Sequence, residues 1–536
     1  MPARPLARIL GLPVSAAWLS AAALWAPASA AEITARGVVF EDADGDGRRG
    51  FSEIGLPEVR VSNGRDIALT DSLGRYALTL GDEGVLFVVK PSGWRAPVDG
   101  NMLPRFYYLH KPAGSPPSRF TGVAPTGALP YSVDFPLTRQ DEPESFTVLV
   151  FGDTQTRNPT EISYLAHDVV EEVIGSDAAF GVTLGDILFD DLSHYESLAR
   201  VVAKIGIPWH NVIGNHDLNF DSSDDAHADE TFERYFGPPY YSFDVGQVHF
   251  VVLDDVLWQG EVEDASEYQG GNYDAGLGER QLAWLERDLA LTGRERLVVL
   301  MMHIPFSASN WQPGELEQLF RLLEKRPRCL SLAAHYHTME HDFLDAQDGW
   351  RGARAHHQFI APAVCGSWWS GAPDETGIPH STMRDGAPNG YALLRIDGAD
   401  YRLRFKAARR PAEYQMNLMV PDRVSRDEAG ETELLVNVFA GSERSVVEYR
   451  FGDEGEWRPM KRVPREDPLF ATMKEAEEGE NPPPGRKLPK AGKSPHIWQA
   501  LLPANPPAGT HRITVRETDC CDAVHRGERI HRVEGR

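Results

Sequence analysis

Phe146-Thr147-Val148-Leu149-Val150-Phe151-Gly152-Asp153-Thr154-Gln155 is an apolar, partly β-branched run that stops on a glycine and hands over to polar side chains. Such a run fits a buried strand, and the glycine lets the chain turn at once. The pattern recurs. Phe180-Gly181-Val182-Thr183-Leu184 runs into Gly185-Asp186, and Pro208 to Ile213 runs into Gly214-Asn215-His216-Asp217. Leu297 to Met302 then leads into His303, and Cys329 to Ala333 into Ala334-His335-Tyr336-His337. Between these runs lie stretches with helical spacing, Thr160 to Ile174 and Glu279 to Leu291. Strands alternating with helices predict an α/β domain, and the hairpin-like stretch Tyr240 to Leu253 makes its sheets mixed.

Each polar segment follows the carboxyl end of a strand, the edge where α/β sheets gather ligands. Carboxylate, amide and imidazole donors suit divalent Mn, Zn, Fe or Ni. One Gly-Asp is ordinarily a turn, and one histidine at a strand end is ordinarily a surface or core residue; all five segments in this order are another matter. As a set they resemble the calcineurin-like metallophosphoesterase superfamily, whose pattern runs Asp-x-His, Gly-Asp, Gly-Asn-His-Asp/Glu, His and Gly-His-x-His. The resemblance covers roughly residues 146 to 405.

That resemblance implies two divalent transition metals: Asp153, Asp186 and His337 on one, Asn215, His303 and His335 on the other, with Asp186 bridging. A metal pair of this kind clamps a phosphate and lowers the pKa of a bound water, so that hydroxide attacks phosphorus directly. His216 is expected to protonate the leaving group or stabilise its charge, with Asp217 orienting the imidazole. Three departures stand out. Gln155 replaces the Asp-x-His histidine and is expected to offer the first metal a neutral amide oxygen, and Ala334 replaces the glycine before His335. Ile187, Leu188 and Phe189 follow Asp186, so the tyrosine that purple acid phosphatases carry there is missing and a tyrosinate-bound ferric iron is not expected.

Upstream, Gly37 to Val89 alternates short β-rich runs with turn signals and reads as a small β-sandwich spanning 31–142. Inside it, Asp42, Asp44, Asp46 and Glu53 occupy positions one, three, five and twelve of a calcium-type loop, with Gly47 at six and Arg48 at seven. The loop, with Gly55-Leu56-Pro57 after it, resembles those of calcium-stabilised B repeats in bacterial surface adhesins, and a structural Ca is expected. Downstream of Arg409 helical periodicity disappears; Glu433 to Val438, Ser445 to Phe451, Ile497 to Leu502 and His511 to Val515 read as strands of a third, sandwich-like domain over 412–536. Residues 475–495 form a long loop within it, and the domain is expected to pack or space.

The fold class expected is therefore α/β: a central metallophosphoesterase αββα sandwich of mixed sheets, 145–408, flanked by two β-sandwich domains. A closer resemblance is to three-part bacterial phosphoesterases with dedicated N- and C-terminal calcineurin-like domains. It rests on the Asp-x-Gln start, on Gly366-Ser367-Trp368-Trp369-Ser370-Gly371, and on Asp385-Gly386 and Pro388-Asn389-Gly390-Tyr391. Trp368 and Trp369 either wall the substrate pocket or pack a domain interface.

Arg4 and Arg8 precede an apolar stretch from Ile9 to Trp25 and the small residues Ala28-Ser29-Ala30, so 1–30 reads as a signal peptide and the location as periplasmic or secreted. No later run is long enough to span a bilayer. A net charge of −25 without a basic stripe argues against nucleic acid as a partner. The substrate expected is a small-molecule or glycan-linked phosphoester, monoester or diester. A catalytically weak glycan- or partner-binding module and a metal-dependent nuclease are the competing readings. The pairing of Cys329, Cys365, Cys520 and Cys521 is open.

Overall fold

The computed structural model describes residues 33–260 and 272–535, so the expected signal peptide lies outside the described residues. The run at Phe146 becomes the strand Ser145–Phe151, central in a five-stranded sheet ordered Trp209–Val212, Phe180–Leu184, Ser145–Phe151, Gly390–Asp397, Asp400–Ala407. The first three strands run parallel and the last two antiparallel to their neighbours. A second, six-stranded sheet is ordered Tyr241–Val245, Val248–Val252, Leu297–Met301, Cys329–Ala333, His356–Ile360, Glu340–Leu344. Both sheets are mixed, as the hairpin predicts.

The two sheets face one another through aromatic side chains: Phe180 of the first meets Phe243 and Phe250 of the second at ring spacings of 5.2 and 4.9 Å. Parallel strands need crossovers, and crossover helices pack on the free faces of the sheets. The fold is accordingly α/β, with helices Pro159–Leu165 and Tyr195–Val202 among the first sheet's crossovers and Gly278–Leu291 and Glu315–Leu323 among the second's. The helix read at Thr160 to Ile174 is interrupted by a π-type turn at Ala166–Val170.

The N-terminal strands form two four-stranded sheets, and the C-terminal strands form one of four, one of five and a two-stranded pair. One helix, Pro468–Ala476, capped by Asp467, was not legible downstream of Arg409. A single apolar core runs through the N-terminal and central domains, with Phe87 against Trp284 at 6.0 Å and Trp284 against Tyr240 at 5.2 Å. The C-terminal domain keeps a core of its own around Trp498. Among the described residues no helix is long and apolar enough to cross a membrane.

A buried ionic cluster reinforces the first interface. Arg60 of the N-terminal domain donates to Asp244 at 2.8 Å and to Asp288 at 3.1 Å, and His249 bridges the same two carboxylates at 2.7 and 2.8 Å. Burial raises the pKa of Asp244, but the His249 hydrogen bond and Arg60 more than offset this and hold it down to about 2. Its unfolded value is about 3.9, so its contribution to stability is complete above about pH 4 and is lost as the pH falls through about 2. Arg60→Met leaves Asp288 to His249 alone and Asp244 to His249 and the more distant Arg296 at 3.8 Å, and is expected to cost about 3 to 5 kcal/mol in urea unfolding. It should also flatten the loss of stability on the acid side; unchanged stability would show that the cluster does not hold the interface.

Candidate metal centre

The strand ends bring the five polar segments to one place, and the backbone is strained there. Asp153, Gln155, Asp186, His335 and His337 all have positive φ, at 20, 37, 48, 73 and 54°. Such residues cost on the order of 1 to 3 kcal/mol each and persist only where surrounding structure over-determines them. Here the determinants are main-chain hydrogen bonds across the site: Gln155 N to Asp186 O at 2.9 Å, Ala334 N to His303 O at 3.0 Å and Cys365 N to Asp153 O at 3.0 Å. Ala334 is tolerated in place of glycine because the left-handed turn falls on His335. Glycine is needed at Gly185 and Gly214, where a Cβ would stand 2.5 Å from His303 Nδ1 and 2.1 Å from Asp186 N.

Two imidazoles are aimed by carbonyls. His303 Nδ1 donates to Leu184 O at 2.8 Å and His337 Nδ1 to Gly366 O at 2.6 Å, which leaves each Nε2 lone pair turned inward. His303 Nε2 then lies 3.1 Å from Asn215 Oδ1, 3.1 Å from His335 Nδ1 and 3.3 Å from Asp186 Oδ1. His337 Nε2 lies 3.7 Å from Asp153 Oδ1. Acceptor atoms of Asp186, His303 and His335 all fall within 4.8 Å of one another. Neither Asp153 nor Asp186 pairs with a lysine or arginine among the described residues, and both are buried. Buried carboxylates facing inward-turned lone pairs are a donor set that fits divalent cations.

The titration behaviour has the same cause. Burial pushes Asp153 up to about 7, with His303 opposing. Burial lowers His303, but Asp186 and then Asp153 overcome it and push the imidazole up to about 10. His335 and His337 are pushed down to about 3, by burial first. The site attracts positive charge between its two carboxylates.

Three expectations need correction. Asp217 does not orient His216: its carboxylate accepts from Ile187 N, Gly214 N and the Tyr195 hydroxyl at 2.9 to 3.1 Å, tying down the loop after Asp186. Asp190 takes the orienting role, accepting from His216 Nδ1 at 2.6 Å, while the Phe189 ring lies 4.6 Å from the imidazole. Gln155 does not offer its oxygen as a ligand, because its Nε2 donates to Asp186 Oδ2 at 3.1 Å and the oxygen faces Cys365 Sγ at 3.9 Å. Trp369 is not pocket wall: it is 2% exposed and its Nε1 donates to Thr154 O at 3.0 Å. Trp368 is the half-buried one, its ring 4.1 Å from that of His337.

Far from this centre, Asp42, Asp44 and Glu53 carry oxygens within 4.8 Å of one another, Asp42 and Glu53 being buried. These carboxylates and that of Asp46 all accept from backbone N–H groups of the loop, Asp46 from Arg48 N at 2.7 Å. All four cysteines are free thiols.

Sequence models of the calcineurin-like phosphoesterases match the chain in three places: the family's N-terminal region over 44–123, its phosphoesterase region over 146–339 and its C-terminal region over 358–524. The chain belongs to the calcineurin-like phosphoesterases. It is the three-part type, a metal-dependent phosphoester hydrolase. No curated protein sequence matches it significantly. Among solved structures, a purple acid phosphatase from yellow lupin (Lupinus luteus) seeds superposes with a TM-score of 0.36 at 12% identity, covering 70% of this chain and 72% of that one. The spore cortex lytic enzyme SleM of Clostridium perfringens superposes with a TM-score of 0.18 at 12% identity, covering 74% of this chain and all of that one.

What sequence reasoning missed in this phosphoesterase is Asp190. The available signal was a carboxylate four residues past Asp186 in the same loop, flanked by the aromatic Phe189.

Proposed function

We propose that this phosphoesterase is an exported hydrolase of small-molecule or glycan-linked phosphomonoesters or phosphodiesters. Asp153, Asp186 and His337 would hold one divalent cation and Asn215, His303 and His335 the other, with Asp186 reaching both. The observation that carries this is the clustering of Asp186, His303 and His335 ligand atoms within 4.8 Å of one another, with Asp153 and His337 paired at 3.7 Å beside them and neither carboxylate held by a lysine or arginine among the described residues. Bound there, a pair of divalent cations supplies Lewis acidity to phosphoryl oxygens and to a water. Gln155 positions Asp186 through its amide. His216 donates a proton from Nε2 to the leaving oxygen, its Nδ1 held by Asp190 so that the ring does not turn away. Phe189 and Trp368 cover the rings of His216 and His337 and limit water on those faces. Export is supported by the basic, apolar and small-residue order of the first thirty residues, and a substrate other than nucleic acid by the net charge of −25.

Metal-stripped protein reconstituted with Mn, Zn, Fe or Ni is expected to hydrolyse p-nitrophenyl phosphate or bis-p-nitrophenyl phosphate. His216→Ala should lower kcat about 10² to 10⁴-fold, and Asp190→Asn about 10 to 100-fold. Full activity in His216→Ala would contradict the proton-donor role, and the monoester to diester ratio decides the substrate class. In the N-terminal domain, Asp42, Asp44 and Glu53 would hold a structural calcium ion together with the Arg48 carbonyl. Calcium should then raise the Tm of the wild type and leave Glu53→Gln unchanged; a wild type indifferent to calcium and to a chelator would contradict it.

A further inference from the structure

The C-terminal domain reaches back to the metal centre through one arginine. Arg486 lies in the loop between helix Pro468–Ala476 and strand Lys493–Ser494. Its Nη1 donates to Trp368 O at 2.8 Å and its Nη2 to Glu161 Oε1 at 2.9 Å, while its own carbonyl accepts from Gly371 N at 2.7 Å. Arg157, from the loop that follows Gln155, donates its Nη1 to the same Trp368 oxygen at 3.1 Å and stands 3.6 Å from Glu161 Oε2. Two guanidinium groups thus share one carbonyl and one carboxylate.

The doublet is fixed against the chemistry from both sides. The Arg157 guanidinium carbon lies 3.7 Å from the centre of the Phe189 ring, whose other neighbour is His216 at 4.6 Å. Trp368, whose oxygen both arginines hold, packs its ring on His337. Each guanidinium carries five N–H donors, and most of them are not used by these bonds. The side chains remain 24% and 44% exposed, whereas Glu161 is 5% exposed. Glu161 offsets one of the two charges, and Asp190, the other carboxylate near Arg157, is engaged by His216. One positive charge is left over at the rim of the centre, in a chain whose net charge is −25. For packing alone, a lone arginine on the Trp368 carbonyl would serve; the second adds a charge that the Glu161 carboxylate, which both arginines already contact, offsets only once.

We propose that Arg157 and Arg486 form an anion subsite beside the metal centre, so that the phosphoester cleaved there carries a second anionic group, carboxylate or phosphate, a short spacer from the scissile phosphorus. Guanidinium groups bind both anions through paired N–H donors. The subsite takes one arginine from the central domain and one from the C-terminal domain, so the latter contributes to substrate choice. The proposal rests on the phosphoesterase reading of the centre.

The test is calorimetric binding to metal-loaded protein of ω-carboxyalkylphosphonates with spacers of increasing length, and of the matching alkylene bisphosphonates. Simple alkylphosphonates are the reference. At least one spacer length should bind about 10-fold or more tightly than its alkyl counterpart. Arg486→Gln and Arg157→Gln should each bring that ratio close to one, and Arg486→Lys, which keeps the charge but loses the fork, should leave it intermediate. The carboxylate and bisphosphonate arms tell which second anion is preferred. A ratio near one at every length in the wild type, or a ratio unchanged in both glutamine variants, overturns the subsite while leaving the phosphoesterase reading intact. Failure of both series and of the alkylphosphonates to bind overturns both.

Discussion

Two carboxylates withdrawn from water without a lysine or arginine partner among the described residues, Asp153 and Asp186, are the constraint around which the centre is built. Uncompensated, each costs several kcal/mol. A positive charge has to sit between them, whether a proton or divalent cations supply it. The neighbouring imidazoles are arranged accordingly: carbonyl oxygens of Leu184 and Gly366 take the Nδ1 protons of His303 and His337, so both rings turn Nε2 toward the carboxylates, free to carry a proton or to ligate a cation. The same electrostatics push His303 up to about 10 and burial pushes His335 down to about 3. Aiming these side chains requires left-handed backbone at five residues, and the sheet edges hold it in place.

The flanking domains bear on this arrangement to different degrees. The N-terminal sandwich shares the core of the central domain and adds the Arg60 cluster, so the two make one stability unit. The C-terminal sandwich has a core of its own but docks through Phe439, which is buried in the central core with its ring 5.9 Å from that of Phe405, and through Asp385, whose carboxylate meets His496 Nε2 at 3.1 Å and whose carbonyl accepts from Asn437 Nδ2 at 2.9 Å. Asp385 also receives Met339 N, two residues past His337, so that docking contact bears directly on the ligand loop. The loop carrying Arg486 continues the same surface toward Trp368.

The order of strands and helices was legible because strands buried on both faces carry largely apolar runs that end abruptly, with few polar interruptions such as Thr183 and Ser331. The ligand set was legible for a related reason, since each ligand is the first or second polar residue past such a run. The partner of His216 was not. Asp217 is its chain neighbour, but neighbours in a tight turn point apart, and the loop after Asp186 delivers Asp190 instead. Trp368 and Trp369 are adjacent yet go to opposite fates for the same reason, one ring on His337 and one buried under Thr154. Arg486 carried no signal at all: a lone arginine in a proline- and lysine-rich loop, its partners stand 118 and 325 residues away in the chain. The helix Pro468–Ala476 was hidden by its small apolar face, which buries only Phe470.

If Asp186 is the ligand common to both cations, its removal must empty the whole centre and not half of it. Counting transition metal by mass spectrometry in reconstituted wild type and Asp186→Ala, with folding checked by circular dichroism, decides this. About two ions per chain in the wild type and fewer than one in the folded variant is the outcome expected of a shared carboxylate. A single ion in the wild type, or two retained in Asp186→Ala, would contradict a dinuclear centre built on this residue.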